Sequence, residues 1–577
     1  MLARLRVENF KCLGAIDIEL GQSVVLIGPN NSGKTSALQA LALWETGLRT
    51  WLAKRGGQET ARQRPGVTIN RKDLTALTTP AANLLWRDLH VRDVEKDEQG
   101  RQKTRNVLIR IGVEGVTGGQ VWRCGLEFDY ANSESLYCRP LLMVSGDRMS
   151  VPFEARDVRV AFLPPMSGLA SVEPKLEPGR INVLIGEGRT AEVLRNLCWR
   201  LHNGEDVPPV WPELVRHIRE LFGVELGSPE HIAARGEITM TYREKRGAPL
   251  DLSSAGRGLQ QTLLLLAYLF ANPHTTLLLD EPDAHLEILR QRQIYQLINE
   301  IARQQNGQII AASHSEIVLN EAAGRDTVIA FVGRPHRLND GGAQVLKALE
   351  TLGFEQYYQA EETGWVLYLE GSTDLAILQA LAVKLNHPAA ILLQSPFVKY
   401  VASNQPQPAR EHFFGLREAK PDLVAIAIFD RLQRPLRADA DDLLELMWRK
   451  REIENYLCRE DVLLAYARHS EADDLFAQAE SERRVEIMRS CIAQLGEALD
   501  TLGRPSPWSA DIKATDDFLT PLFHRYFQTL GLPAHTLRKS DYHELVAFLP
   551  MEAVEAEIIE KLDAIVAVAA RARPRIE

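Results

Sequence analysis

The run Val24-Val25-Leu26-Ile27, followed at once by Gly28-Pro29-Asn30-Asn31-Ser32-Gly33-Lys34-Thr35, constrains this chain more than any other feature. Four consecutive apolar residues read as a strand buried on both faces, as in the centre of a parallel sheet. Glycines at both ends of the loop let backbone N–H groups close around a phosphate. From Thr35 to about Leu48 the apolar spacing is helical, so the loop joins a strand to a helix N-terminus. Gly28, Asn30, Asn31, Ser32, Gly33, Lys34, Thr35 and Ser36 form the expected ATP-binding set. Lys34 would reach the β- and γ-phosphates, and Thr35 would offer its hydroxyl to Mg²⁺.

A second run, Leu277-Leu278-Leu279, ends in Asp280-Glu281-Pro282. A buried strand delivers carboxylates to a metal–phosphate site in this way. Asp280 is the expected Mg²⁺ ligand, direct or through water, and Glu281 the group that polarises the attacking water. Helical spacing over 259–271, a strand over 275–279, helical spacing over 284–305 and a strand over 308–312 predict an α/β fold with a parallel sheet. Upstream, Leu2, Leu5, Val7 and Phe10, then Ile16, Ile18 and Leu20, alternate as two strands. Residues 106–160 read as antiparallel strands and 190–223 as helical. Between Trp51 and Lys72 lie six basic residues (Lys54, Arg55, Arg62, Arg64, Arg71, Lys72) and one acid, Glu59, in what reads as a long loop.

Another strand–helix start follows. Val366 to Leu369 ends in Glu370-Gly371-Ser372-Thr373-Asp374, and Leu423 to Phe429 ends in Asp430. Acids at the ends of neighbouring parallel strands converge at the carboxyl edge of a sheet. A divalent metal offsets their repulsion and activates a water. Oxygen ligands suit Mg²⁺ and Mn²⁺ alike. From about 440 onward the chain reads as mostly helical, broken by Pro505, Pro507 and Pro533.

Composition limits the class. The chain has 577 residues, 45% hydrophobic and 25% charged, which fits three or four globular units. Its 67 basic and 77 acidic residues give a net charge of −10, so any nucleic-acid path must be local. The six cysteines form no CxxC pair, which excludes a zinc ribbon or redox dithiol by local spacing and fits a reducing cytoplasm. The start, MLARLRVENF, carries no apolar signal core. The longest apolar run, Leu263 to Ala271, is nine residues and is too short to span a bilayer. A cytoplasmic protein without membrane partners is expected.

Leu252-Ser253-Ser254-Ala255-Gly256-Arg257-Gly258 resembles the signature loop of ABC-type ATPases, and Ser313-His314-Ser315 resembles their histidine switch. Asn9-Phe10-Lys11 matches an early feature of the SMC and RecF group. Residues 1–48 and 240–340 thus resemble an ABC-type head, with 49–239 as an insertion expected to serve as an arm or dimerisation region. The resemblance implies that Ser254 and Gly256 contact a γ-phosphate held by a second copy, and that His314 senses it. It therefore implies a homodimer or a higher assembly of dimers. Leu163-Pro164-Pro165-Met166 is a candidate Q-loop position.

Residues 362–460 resemble the Toprim fold, with 461–577 as a helical region packed on it. An ABC head followed by Toprim is similar to the OLD-family nucleases, the Gabija nuclease subunit and PARIS-type defence proteins. That resemblance implies a metal-dependent endonuclease, with DNA favoured over RNA, in anti-phage defence. Glu370 would hold metal or act in acid–base chemistry, with Asp374 and Asp430 as further ligands. Leu432 stands where a second aspartate is expected. Glu454, in Ile453-Glu454-Asn455-Tyr456-Leu457, is the candidate replacement. Asp439, Asp441 and Asp442 are alternatives, with a solvated helix start as their plainer role. Lys539 is the candidate to stabilise phosphate charge. Arg431, Arg434, Arg437, Arg449, Lys450 and Arg451, or the Trp51–Lys72 stretch, are the candidates for a basic path, with solvated loop and helix surface as the plainer role of most of them. A second reading is an ATPase sensor or scaffold with a degenerate Toprim site, signalling through a partner effector. A third, primase- or topoisomerase-like, lacks a zinc module or a nucleophilic tyrosine context.

Overall fold

The computed structural model describes residues 1–55, 66–77, 79–96, 102–166, 168–204, 210–244, 247–323, 325–338, 353–401, 404–433, 435–436, 442–469, 475–532 and 537–575. Met1–Lys347 form one unit and Ala348–Ile576 a second.

In the first unit, β1 (Leu2–Phe10) and β2 (Leu13–Glu19) form a hairpin, and β3 (Ser23–Ile27) leads through the glycine loop into α1 (Lys34–Arg55). The helix runs two turns beyond Leu48, because Leu48 and Trp51 continue its buried face. Then come β4 (Val67–Asn70), β5 (Ile109–Thr117), β6 (Gln120–Asn132), β7 (Ser135–Pro140) and β8 (Val160–Leu163). Two sheets result. One has the order β2-β1-β5-β6-β7-β4 and is antiparallel along its length. The other has the order β8-β9-β10-β3-β11-β12, where β9 is Thr276–Asp280, β10 Gln308–Ser313, β11 Thr327–Ala330 and β12 His336–Arg337. It is parallel except for the β11–β12 edge.

The stretch 49–239 therefore contributes strands to both sheets rather than standing outside them. The alternation Ile109, Ile111, Val113 buries one face of β5 beside β1. One core joins β1, α1 and β5 to Val24, Leu26, Leu278 and Ile310 of the parallel sheet. Within it the Trp44 indole N–H bonds to the Cys124 carbonyl at 3.0 Å. Around the parallel sheet lie α2 (Leu194–Asn203), α3 (Trp211–Phe222), α4 (Arg257–Ala271), α5 (Ile288–Gln304) and α6 (Glu316–Ala322). Residues 284–287 are not helical, since Glu281 and His285 adopt positive φ and turn the chain first.

In the second unit, β13 (Trp365–Leu369), α7 (Ser372–Lys384), β14 (Val398–Tyr400), α8 (Pro406–Ala419), β15 (Val424–Phe429) and β16 (Leu443–Met447) build a sheet of order β14-β13-β15-β16. All its pairings are parallel. The chain after 440 thus opens with a strand, not a helix. Five residues are too few for helical spacing to declare itself, and Glu445 in the strand is paired with Arg410 at 2.5 Å. Each inner strand is buried on both faces. Leu367, Leu369, Ile426 and Ile428 share a core with the later helices α9 (Glu460–Arg468), α10 (Leu475–Thr501), α11 (Thr520–Leu530) and α12 (Ala556–Arg571). Val366, Tyr368, Ala427 and Phe429 face α8. Among the described residues no helix is long and apolar enough to cross a membrane, and all six cysteines are free thiols.

Candidate nucleotide and metal sites

Strand register assembles the first site. Ile27 pairs with Ser313, and Ala312 with Asp280. Gly28, His314 and Glu281 therefore leave the sheet side by side at its carboxyl edge. Leu163 pairs with Leu279, so Pro164-Pro165-Met166 leaves the same edge.

The loop needs its glycines. A Cβ on Gly28 would lie 2.6 Å from the Phe331 carbonyl oxygen, and Gly33 holds φ +99° with Leu13 Cδ2 2.7 Å from a built Cβ. Asn31 takes φ +63°, which asparagine tolerates better than most side chains. Lys34 is only 5% exposed and its Nζ donates to the carbonyls of Gly28 and Pro29 at 2.7 and 2.8 Å. Burial lowers the ammonium pKa to about 8, against the opposing pull of Asp280 and Glu281. Ser32 Oγ is buried with no partner. A spare buried donor and a cation resting on backbone carbonyls fit a phosphate chain. Thr35 Oγ1 donates to Asp280 Oδ1 at 3.0 Å, and burial raises Asp280 to about 6. This hydroxyl–carboxylate pair fits Mg²⁺. Bound ATP–Mg²⁺ would supply the phosphoanhydride and a Lewis acid. Lys34 would orient its phosphates, and Glu281 would hold the attacking water.

Glu281 sits at φ +50°, in a region that costs a non-glycine residue roughly 1 kcal/mol or more, and its N–H bonds to the Ala312 carbonyl at 2.9 Å. The turn aims its Oε1 to within 3.4 Å of His314 Nε2. Burial, then Lys34, lowers the imidazole pKa, so the ring is ready to accept a hydrogen bond near neutral pH. Ser315 caps α6 and donates its hydroxyl to Gln291 Oε1 at 2.6 Å. Ser254 and Gly256 are exposed, and a Cβ on Gly256 would meet nothing within 4 Å. The loop is therefore free to meet another molecule.

Sequence reasoning missed what holds that loop. Gln260 is buried in α4, and its Nε2 reaches the carbonyls of Leu252, Ser253 and Ala255 at 3.1, 3.4 and 3.0 Å. Asp251 Oδ1 accepts from Ser253 N–H, Ser253 Oγ and Arg195 at 2.8, 2.6 and 2.9 Å. The signal was Gln260-Gln261 inside an otherwise apolar helix.

The second site lies at the carboxyl edge of the β14-β13-β15-β16 sheet. β13 ends before Glu370 and β15 before Asp430. Asp374 is the third residue of α7, and its Oδ2 accepts the Gly371 N–H at 3.0 Å. One oxygen thus caps the helix, as an acid there ordinarily does. Glu454 comes from a short turn (Ile453–Tyr456) whose Ile453 and Tyr456 are core residues. Its Asn455 amide donates to the Ser509 and Ile512 carbonyls at 3.2 and 3.1 Å. Those three side chains anchor the turn and leave the Glu454 carboxylate to the acids.

Burial pushes Asp430 up to about 8, with Asp374, Glu370, Glu454 and Glu452 adding repulsion. Burial and Glu452 push Glu454 up to about 7. Asp374 is raised by burial and then Glu370. Glu370 Oε2 and Glu454 Oε1 are buried without partners. Lys539 Nζ stands 4.0 Å from Glu454 Oε1. Unspent carboxylate oxygens in mutual repulsion are a donor set that fits a hard divalent cation. As placed, no three His, Cys, Asp or Glu among the described residues are grouped to hold one ion, so ligation needs side-chain rotation.

Three expectations change here. Leu432 packs against the core of Phe397, Phe413 and Phe429, so that position offers no ligand. Asp442 is at the opposite, amino end of the sheet, where it pairs with Arg417 and Arg571 at 2.9 and 3.2 Å. Asp439 and Asp441 lie outside the described residues. Several of the basic residues are engaged where they are described. Arg431 bonds to Asp511, Arg449 to Glu560 and Lys450 to Glu555, while Arg451 donates to the Asp511 carbonyl. Likewise Lys54 donates to the Thr68 carbonyl and Arg71 pairs with Glu134. Glu59, Arg62, Arg64, Arg434 and Arg437 lie outside the described residues. Glu452, unnoticed in the sequence, is a fifth acid of the group and is 2% exposed.

The family models that match this chain fall on the first site. A family model described as "AAA ATPase domain" matches residues 1–50, and one described as "AAA domain, putative AbiEii toxin, Type IV TA system" matches 200–320. A protein named OLD nuclease, from Thermus scotoductus, is 51% identical over 43 residues, which is 8% of this chain and 8% of that relative. The chain thus matches less than a tenth of that relative's length. Solved SMC heads align over 58% of this chain. One, bound to the C-winged helix domain of ScpA, has 14% identity and a TM-score of 0.33, with 97% of it covered. The head from Thermotoga maritima has 15%, 0.30 and 98%. A third, bound to the C-terminal domain of ScpA derived from Pyrococcus furiosus, has 13%, 0.33 and 96%. The two family models cover the phosphate loop and the acidic strand with its signature loop. Residues 1–50 and 200–320 are thus similar to ATPase domains, a likeness that implies nucleotide and typically Mg²⁺ use.

Proposed function

We propose that this chain is an ATP-hydrolysing, divalent-metal-dependent endonuclease, with a Toprim-type site in its second unit. One observation carries the reading. Glu370, Asp374, Asp430 and Glu454 gather at one sheet edge, Glu370 and Glu454 each with a buried oxygen that accepts no hydrogen bond, and Lys539 stands beside them. A metal bound there would lower the pKa of a bound water and offset the phosphodiester charge. Glu370, Asp374 and Asp430 would hold the ion, Glu454 would complete the set in place of Leu432, and Lys539 would face the phosphate. Two copies close signature loop on phosphate loop, and their nucleotide state gates cutting. DNA is the favoured substrate and RNA the other. The short match to an OLD nuclease supports this and, with the resemblance above, a role in anti-phage defence in the cytoplasm.

Nicking of supercoiled plasmid in Mg²⁺ or Mn²⁺, with and without ATP, tests it. Cutting is expected in wild type and absent in Glu370→Ala. A Glu370→Ala protein that cuts as fast as wild type would sink the reading. Leu432, turned into the core, favours one alternative: a sensor that binds nucleic acid or an effector without cutting. Intact ATP hydrolysis with no cleavage of DNA or RNA is its signature.

A further inference from the structure

Lys513 occupies a built position that neither the motifs nor the comparisons single out. The backbone on both sides of it is fastened to the turn that delivers Glu454. On one side, Asn455 Nδ2 donates to the Ile512 carbonyl at 3.1 Å. On the other, the Thr515 N–H donates to Glu452 Oε1 at 2.5 Å. Asn455 and Glu452 flank Glu454, so the root of Lys513 moves only if the acid moves. Its side chain is 45% exposed, and Nζ stands 2.6 Å from Asp516 Oδ2.

The surrounding charges place this ammonium in the field of the acid group. Asp516 first, then Glu452 and Glu370, hold Lys513 above its usual range. Asp516 in turn is held low by Lys513 first and also by Lys539. Asp516 therefore serves two lysines, one on each stretch bordering the acids. An exposed ion pair of this kind is weakly held, and a phosphate offers the ammonium a charge-assisted contact of the same kind, so the lysine can exchange one anion for the other. A cation at this position would offset the charge that develops on a cleaved phosphodiester beside a crowd of carboxylates.

We propose that Lys513 is a second phosphate clamp of the acid site, resting on Asp516 until a phosphodiester arrives and then contacting its non-bridging oxygen opposite Lys539. The proposal rests on the nuclease reading above. The shared ligand chemistry is the phosphodiester, so plasmid DNA and a single-stranded RNA are run as separate arms.

The full chain is assayed in Mg²⁺ and Mn²⁺ as wild type, Lys513→Ala, Lys513→Arg and Glu370→Gln. Binding to a fluorescein-labelled DNA duplex is measured in Ca²⁺ across a KCl series. Lys513→Ala should slow cleavage about a hundredfold, as loss of one fixed donor at a developing charge does, with the metal half-saturation unchanged. Its plot of log affinity against log salt should lose about one unit of slope, one phosphate contact. Lys513→Arg should recover most of both. Wild-type cleavage and slope in Lys513→Ala, with Glu370→Gln inactive, would overturn the clamp and leave the nuclease standing. Equal loss in the Ala and Arg variants with a lowered melting temperature would make Lys513 structural and also overturn it. Undiminished cutting by Glu370→Gln, or none by wild type on either substrate, would remove the nuclease reading and the clamp with it.

Discussion

Thr35 Oγ1 and Asp280 Oδ1 meet at 3.0 Å, although 245 positions separate them in the chain. The loop after one strand and the end of another two places away thus present a hydroxyl and a carboxylate to the same point. Neither strand could shift register without parting them.

Lys34 has a pKa of about 8 while it rests on backbone carbonyls. Phosphate contact favours the charged form, so binding takes up a proton above that pH. ATP affinity should be flat below pH 8 and fall about tenfold per unit above it. Isothermal titration in two buffers of different ionisation enthalpy would read the proton directly. A flat profile to pH 9.5 would contradict the assigned contact.

Glu281→Gln should lower ATP hydrolysis about a hundredfold or more while leaving ATP binding within about threefold, because it removes the base and keeps the loop. If two copies sandwich the nucleotide, this variant should elute as an ATP-dependent dimer. An unchanged hydrolysis rate would assign the water to another group.

The acid group has a worked sign. Asp430 and Glu454 are raised to about 8 and 7 from ordinary values near 4. The folded state therefore binds more protons than the unfolded one between about pH 4 and 8, and stability falls as pH rises through that window. Without metal, the melting temperature should drop from pH 6 to 8.5, and Mg²⁺ or Mn²⁺ should restore it. Asp430→Asn should raise the metal-free value at pH 8 by about 3 °C or more and abolish the metal response. A metal response unchanged in that variant would place the ion elsewhere.

Glu454→Gln and Asp442→Asn test the ranking of two acids, Glu454 the candidate ligand and Asp442 the alternative. The first should abolish cleavage. The second removes only a half-exposed pair with Arg417 and Arg571 and should change activity less than twofold and stability by about 0–1 kcal/mol.

Gln260→Met keeps volume but frees three carbonyls of the loop carrying Ser254 and Gly256. It should cost roughly 1–3 kcal/mol. It should also reduce hydrolysis more than ATP affinity, since the loop acts on a neighbour's nucleotide. Equal loss of both would point to general unfolding.

The phosphate loop was legible because its chemistry and its context are both local. Glycine spacing, a preceding apolar run and a following helix lie within about two dozen residues. Asp280, Glu370 and Asp430 were legible for the same reason, as polar residues ending apolar runs. Glu454 was preferred to Asp442 from its local run alone, and strand polarity supplies the physical reason for setting Asp442 aside. The run Leu443–Met447 had to be recognised as a parallel strand before Asp442 could be assigned to the wrong end. Glu452 and Lys513 owe their places to contacts with residues far along the chain, and no short window contains those. The basic residues could be read only as candidates, because sequence displays a charge without its partner.

The shared core of the first unit has a consequence for how this protein can come apart. β5 is hydrogen-bonded to β1, and its residues pack with α1, the helix that starts at Lys34. The buried Gln308 amide is bonded to the Leu2 N–H and carbonyl and to the Gly21 carbonyl. The middle third of the head therefore cannot be excised as a cassette. Thermal melting followed by nucleotide fluorescence should coincide with melting followed by loss of β-structure in the outer sheet, as one cooperative transition. Amides of β5 and α1 should exchange with deuterium on a common slow timescale.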